Sequence, residues 1–192
     1  MNDYLVCLGA PYAYQAFRAE FSLEEIYERY RGPIFHYLYR LCGSAEQAED
    51  LAQEAFTKAC AGLASFRGDC SVSTWLFCIA RNTYIDSTRR PGAARIDTDE
   101  LLSIPDRDSA CDPAHHYAAL EQRDAINLAL TQLPEKYRSV LLLRDQEGLS
   151  YAEIAAILEM SLAAVKVNLF RARNAFRTIY AEINQEHEGS AE

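Results

Sequence analysis

Residues 150–177, SYAEIAAILEMSLAAVKVNLFRARNAFR, divide into two helical patterns with almost nothing between them. Ser150 followed by Glu153 has the spacing of a capping box, in which hydroxyl and carboxylate each satisfy a backbone amide at a helix start. Ile154, Ala155 and Leu158 give the first helix its buried stripe. Glu159 and Met160 form the turn. Ser161 caps a second helix whose apolar positions, Leu162, Val165, Leu169, Ala172, Phe176 and Ile179, recur at three and four residues and so share a face. Lys166, Asn168, Arg171, Arg173 and Arg177 fall on the exposed side. So short a connection makes the helices cross, which is a helix-turn-helix. An apolar seam with cations opposite suits any solvated helix; joined tightly to a preceding helix, it suits one that enters a DNA major groove.

The remainder of the chain qualifies that reading. Its 192 residues, 49% of them apolar, are enough for one large or two small domains with real cores. A net charge of −9 is unfavourable for a DNA binder, because Lys and Arg neutralising phosphate supply most non-specific affinity. Either the helix-turn-helix is a local basic island or a partner confers DNA affinity by masking the acidic surface. No apolar run reaches the roughly 20 residues that span a bilayer. The N-terminus also lacks a secretory pattern, so a cytoplasmic protein without membrane insertion of its own is expected. Cys7, Cys42, Cys60, Cys70, Cys78 and Cys111 contain no C-x-x-C pair and read as reduced or incidental thiols, the other reading being a metal or redox sensor.

Residues 1–20 hold Tyr4, Tyr12, Tyr14 and Phe17, too aromatic for an ordinary tail, with Gly9 and Pro11 interrupting any long helix. Ser22 with Glu25 starts a short helix ending at Gly32, and Pro33 starts the next, which runs to Gly43. Ser44 with Gln47 starts a third, whose stripe is Ala48, Leu51, Ala52, Ala55, Phe56 and Ala59 and whose exposed side is acidic. SFRGDCSVS, residues 65–73, is a loop, and Ser73 caps a fourth helix from Thr74 to about Thr88. That helix combines Trp75, Phe77 and Tyr84 with Arg81, Asn82, Arg89 and Arg90. Aromatics beside cations suit stacking on unpaired bases, although an aromatic at helical spacing is more often core.

Residues 91–113 carry three prolines and six acids against Arg95 and Arg107, and read as a linker between two helical domains. It is either a solvated tether or an acidic strand that occupies a basic channel in a partner. Asp112 and Pro113 open a further helix, Leu133 and Pro134 punctuate, and a helix through Tyr137, Val140, Leu141 and Leu142 ends at Gly148. The fold class expected is all-α: two small helical domains joined by a flexible acidic linker, the second containing the helix-turn-helix.

Two blocks in this order resemble the extracytoplasmic-function sigma factors of the sigma-70 family. AEQAEDLAQEAFTKACAGLASFRGDCSVSTWLFCIARNTYIDSTRR is similar to the family's region 2, and LPEKYRSVLLLRDQEGLSYAEIAAILEMSLAAVKVNLFRARNAF to its region 4. A lone helix-turn-helix is a weak signal; two independent blocks in order are a strong one. The resemblance implies a region-2 domain at 21–90, a linker at 91–113, a region-4 domain at 114–184 and an acidic tail at 185–192, with 1–20 an extension of unassigned role. That extension has three readings: a regulatory segment, an extra packing segment, or a start codon assigned too early.

The implied function is initiation of bacterial transcription without enzymatic activity or cofactor. Glu49, Asp50, Gln53 and Glu54 match the motif that docks on the clamp helices of the polymerase's largest subunit. Phe66, Arg67, Gly68, Asp69 and Ser71 match the loop that captures a flipped nontemplate base of the minus-ten element, with Trp75, Arg81 and Asn82 on the helix after it. Flipping a base costs a few kcal/mol, which the pocket must return. Ser161, Ala164, Lys166, Val167, Asn168, Arg171 and Arg173 match minus-thirty-five contacts. The commoner pattern has Ser-Arg where this chain has Val167 and Asn168, so a different upstream sequence is expected, Asn suiting adenine where Arg suits guanine. The implied partners are core RNA polymerase, through its clamp helices and flap region, promoter DNA, and an anti-sigma factor.

Two rivals make other predictions. A stand-alone helix-turn-helix regulator accounts for the second domain only. An enzyme lacks support, because no phosphate loop, nucleophile elbow or zinc-ligand spacing occurs, and His36, His115, His116 and His187 form no motif. Cys111 with His115 and His116 is weak as a metal site, and none is expected.

Overall fold

Ser22 caps the first described helix as its spacing predicts: its hydroxyl accepts the Glu25 amide and the Glu25 carboxylate accepts the Ser22 amide. The computed structural model describes residues 22–89 and 113–189. Its elements are α1 (Leu23–Cys42), α2 (Ala45–Leu63), α3 (Val72–Arg89), α4 (Pro113–Gln132), α5 (Glu135–Leu141), a π-helical turn (Leu142–Gln146), α6 (Tyr151–Ile157) and α7 (Leu162–Gly189). No strand occurs among the described residues. Residues 1–20, nearly all of the expected linker at 91–113 and the end of the acidic tail lie outside the described residues.

Helix α1 departs from the sequence expectation. Gly32 and Pro33 read as a break between two helices, yet α1 continues through both. Ile26, Ile34, Tyr37, Leu38 and Leu41 stay in phase across Pro33 and are all buried, so continuing the helix keeps five large side chains in the core. Each contributes about 1.5–3 kcal/mol, which together outweighs the roughly 3 kcal/mol of an interior proline. The helix stops at Gly43, in the left-handed region with φ 79° and its amide bonded to the Tyr39 carbonyl.

Ser44 accepts the Gln47 amide and starts α2, whose buried residues are the six the periodicity predicts. The next start shifts by two residues. Ser71, not Ser73, caps α3, its Oγ accepting the Thr74 amide at 3.1 Å. Phe77 and Tyr84 are core: Phe77 meets Tyr37 edge-on at 5.3 Å, and the Tyr84 hydroxyl donates to the Leu41 carbonyl.

In the second half, α4 and α5 pack on α7. The π turn closes with the Glu147 amide bonded to the Leu142 carbonyl, and Gly148 follows it at a φ of 70° that suits glycine. Helix α7 runs to Gly189, so residues 185–189 of the expected tail continue the helix.

The halves form one continuous core, in which Tyr37, Leu41, Phe77 and Ala80 join Val140, Leu143, Ile154 and Val165. Arg138, 3% exposed, crosses between them. Its Nη1 donates to the Leu41 carbonyl (3.0 Å) and the Arg40 carbonyl (3.4 Å) at the end of α1, and its Nη2 to the Thr131 carbonyl (2.7 Å) in the last turn of α4 and the Leu133 carbonyl (3.1 Å) just after it. The cation thus meets the negative ends of two helix dipoles. Burial lowers its pKa, opposed by nearby Tyr84 and Glu135.

Candidate nucleic-acid and polymerase interfaces

Three surfaces hold the residues singled out in the sequence. The first is the outer side of α2. Glu49, Asp50 and Gln53 are exposed, as expected, while Glu54 is half-buried and paired with Lys58 at 2.9 Å. Lys58 Nζ also donates to Thr83 Oγ1 at 3.2 Å and so ties α2 to α3. Of the matched carboxylates, Glu49 and Asp50 are the exposed pair, one turn before the anchored Glu54.

The second surface is the loop before α3 with the N-terminal part of that helix. Phe66 is buried against Trp75, with ring centroids 4.8 Å apart, so it backs the tryptophan and does not face outward as expected of a base-capture residue. Trp75 is half-buried and reaches Gly62, where an added Cβ would lie 3.3 Å from its Cζ2. Gly68 adopts φ 74°, which lets the loop double back between exposed Arg67 and half-buried Asp69. Asp69 Oδ1 and Arg81 Nε are buried without hydrogen-bond partners, and Asn82 is half-buried. Polar atoms held out of water in this way are ready to meet a ligand that brings its own donors and acceptors.

The third surface is the helix-turn-helix. Ser150 and Glu153 form the predicted capping box on α6. In the turn, Glu159 has φ 52° and the Met160 amide bonds the Ala155 carbonyl. Ser161 Oγ accepts the Ala164 amide at 3.1 Å, so this side chain caps α7. Lys166, Val167 and Arg171 are exposed and Ala164 is half-buried. Two residues differ from expectation. Asn168, placed by the sequence reading on the exposed side, is 6% exposed, with Nδ2 3.5 Å from Met160 Sδ. It follows Val165 by three residues and precedes Leu169, which puts it on the edge of the buried seam. Arg173, expected among the minus-thirty-five contacts, pairs with Asp145 of the π turn through Nε–Oδ2 (3.1 Å) and a second N–O contact. The hydrogen bond to Asp145 raises its pKa. Sequence reading missed Phe170, 68% exposed between the cations, and Tyr151, over whose ring Arg144 lies at 4.9 Å. Phe170 was legible as an apolar residue outside the seam.

The second and third surfaces are joined. Glu153 Oε1 accepts hydrogen bonds from Ser71 Oγ and Thr74 Oγ1, each at 3.0 Å. Partial burial pushes the Glu153 carboxyl up, but bonds from Ser150, Thr74 and Ser71 outweigh it and hold the carboxyl below its ordinary value.

Among the described residues no cluster of His, Cys, Asp and Glu is suited to a metal ion, and no helix is long and apolar enough to cross a membrane. The four described cysteines are thiols and form no disulfide.

The family model for Sigma-70 region 2 matches residues 26–93, and that for Sigma-70, region 4 matches residues 123–176. The chain is 39% identical over 155 residues to RNA polymerase sigma factor YlaC of Bacillus subtilis, covering 79% of this chain and 88% of that one. It is 34% identical over 154 residues to the ECF RNA polymerase sigma-E factor of Escherichia coli K12, covering 77% and 80%. The chain belongs to the extracytoplasmic-function sigma factors of the sigma-70 family. It is a transcription initiation factor, and the stand-alone regulator is not favoured. Among solved structures, this sigma factor superposes on RpoE of Bartonella quintana in complex with the anti-sigma factor NepR. That match has TM-score 0.65, 25% identity and coverage of 86% of this chain and 96% of that one. CnrH in complex with the cytosolic domain of CnrY shares the fold, with TM-score 0.63, 21% identity and coverage of 91% and 99%.

Proposed function

We propose that this sigma factor works in the cytoplasm in two halves, residues 21–90 docking on polymerase and capturing minus-ten bases, and residues 114–184 reading the minus-thirty-five element. The outer face of α2 meets the clamp helices of the polymerase's largest subunit, with exposed Glu49, Asp50 and Gln53 facing basic partner residues and Glu54 held by Lys58. The second half meets the flap region.

The minus-ten pocket is built from Arg67, Gly68, Asp69, Ser71, Trp75, Arg81 and Asn82, with Phe66 as its floor. Here a flipped base gains stacking on Trp75 and hydrogen bonds to groups already poorly hydrated, which offsets its removal from the duplex. Lys166, Val167 and Arg171 face the upstream element, and exposed Arg177 holds phosphate.

The observation that carries this reading is the bond from Ser71 and Thr74 to Glu153, which seats the minus-ten loop against the helix-turn-helix. Two DNA elements one promoter spacing apart cannot both be read while the halves are closed on each other, so polymerase separates them on docking. An anti-sigma factor holds the closed form, as befits a fold shared with proteins solved in anti-sigma complexes. Run-off transcription with core bacterial polymerase and a library of promoter fragments tests the reading. Discrete transcripts that require this protein are expected; their absence with folded protein overturns it.

A further inference from the structure

The outward face of α7 has an unusual chemistry for a DNA reader. Asn168 is turned in towards Met160, so its amide does not project. Between exposed Lys166 and Arg171 the outward side chains are Val167, 47% exposed, and Phe170, 68% exposed, one turn apart on the same face. Neither can donate or accept a hydrogen bond. The strip is flanked by cations, which fits a polyanion carrying an apolar group and disfavours a purely apolar peptide. On major-groove base edges the one apolar group is the C5-methyl of thymine.

We propose that Val167 selects a thymine in the upstream promoter element by contact with its C5-methyl, with Phe170 beside it excluding water. This rests on α7 being the reader of that element. The isopropyl group replaces water on one face of the methyl, and a cytosine at the same place presents an amino group that Val167 leaves unpaired. The preference therefore comes from an apolar contact together with a penalty for the polar base.

The test uses the full chain, core polymerase and a promoter selected by run-off transcription. Each upstream thymine is replaced in turn by deoxyuridine, which keeps the base pair and removes only the methyl. One position is expected at which uracil lowers initiation about fourfold, the worth of one buried methyl group. A Val167→Ser variant, altered at an exposed side chain, is expected to be insensitive at that position while it keeps any sensitivity elsewhere. Initiation by wild type with no uracil-sensitive position, or with the same sensitivity in Val167→Ser, overturns the proposal and leaves the exposed strip to a protein partner. Absence of initiation from every fragment overturns the transcriptional reading itself, and this inference with it.

Discussion

Thr74 donates its hydroxyl to Glu153 at 3.0 Å across 79 positions of sequence, so one carboxylate caps α6 and also grips the start of α3. Thr74 is buried, and its Oγ1 also lies 2.8 Å from Ser71 Oγ, the atom that caps α3. The helix-turn-helix and the loop before α3 are thereby linked through a three-residue polar cluster. A double-mutant cycle of Thr74→Val and Glu153→Ala, read by urea denaturation, is expected to give a coupling of about 0.5–1.5 kcal/mol. The single Glu153→Ala change also removes a capping box and costs about 1 kcal/mol more.

The same carboxylate makes the closed form sensitive to acid. The Glu153 pKa is held below the ordinary 4.5, so its stabilising contribution is complete above that value and is lost as pH falls through the lower folded value. Comparing stability from neutral pH down into that range, wild type is expected to lose the increment that separates it from Glu153→Gln. Parallel curves for the two proteins at all pH values would contradict this.

Arg138 also links the halves. Substituting Met keeps much of the volume but takes the guanidinium donor from the Thr131 and Leu133 carbonyls at the end of α4 and leaves the Leu41 carbonyl only the Tyr84 hydroxyl, a loss of about 3 kcal/mol by denaturation. Small-angle scattering of Arg138→Met is expected to show a larger radius of gyration, because the cation touches both halves.

Much of this was legible in the sequence, and the misses have physical causes. Capping boxes at Ser22 and Ser150 and the stripe of α2 follow from spacing alone. The break expected at Pro33 was overridden by core packing, which local propensity does not register. Ser71 and Ser73 are equally good caps on paper; Glu153, distant in sequence, bonds the first of them. Asn168, expected on the exposed side, is turned in because Met160 of the turn takes its amide, and Phe170, which had no expected role, stands exposed beside it. Nothing in the sequence marked Arg138, since its four acceptors come from α1 and the end of α4.

Glu159 sits in the left-handed region at φ 52°, where side chains other than glycine are strained by about 1–2 kcal/mol. Glu159→Gly is expected to stabilise the protein by about 0.5–1 kcal/mol, the added freedom of glycine in the unfolded chain offsetting part of the relief. The midpoint of urea denaturation checks it.

The proposed docking of the acidic face of α2 on polymerase predicts a charge effect without a folding effect. Glu49→Lys with Asp50→Lys is expected to weaken binding to core polymerase at least tenfold while stability changes by no more than about 0.5 kcal/mol, both side chains being exposed. A gel-filtration or fluorescence titration against core polymerase measures the first quantity, and denaturation the second.

Bound to polymerase, this sigma factor is proposed to open promoter DNA through binding energy alone. Permanganate footprinting of unpaired thymines on a promoter selected by run-off transcription measures that opening directly. Reactive thymines at the minus-ten element, appearing only when polymerase and this protein are both present and without ATP, are the predicted result. A duplex that stays unreactive with both present, while the protein alone binds the promoter tightly, would contradict it.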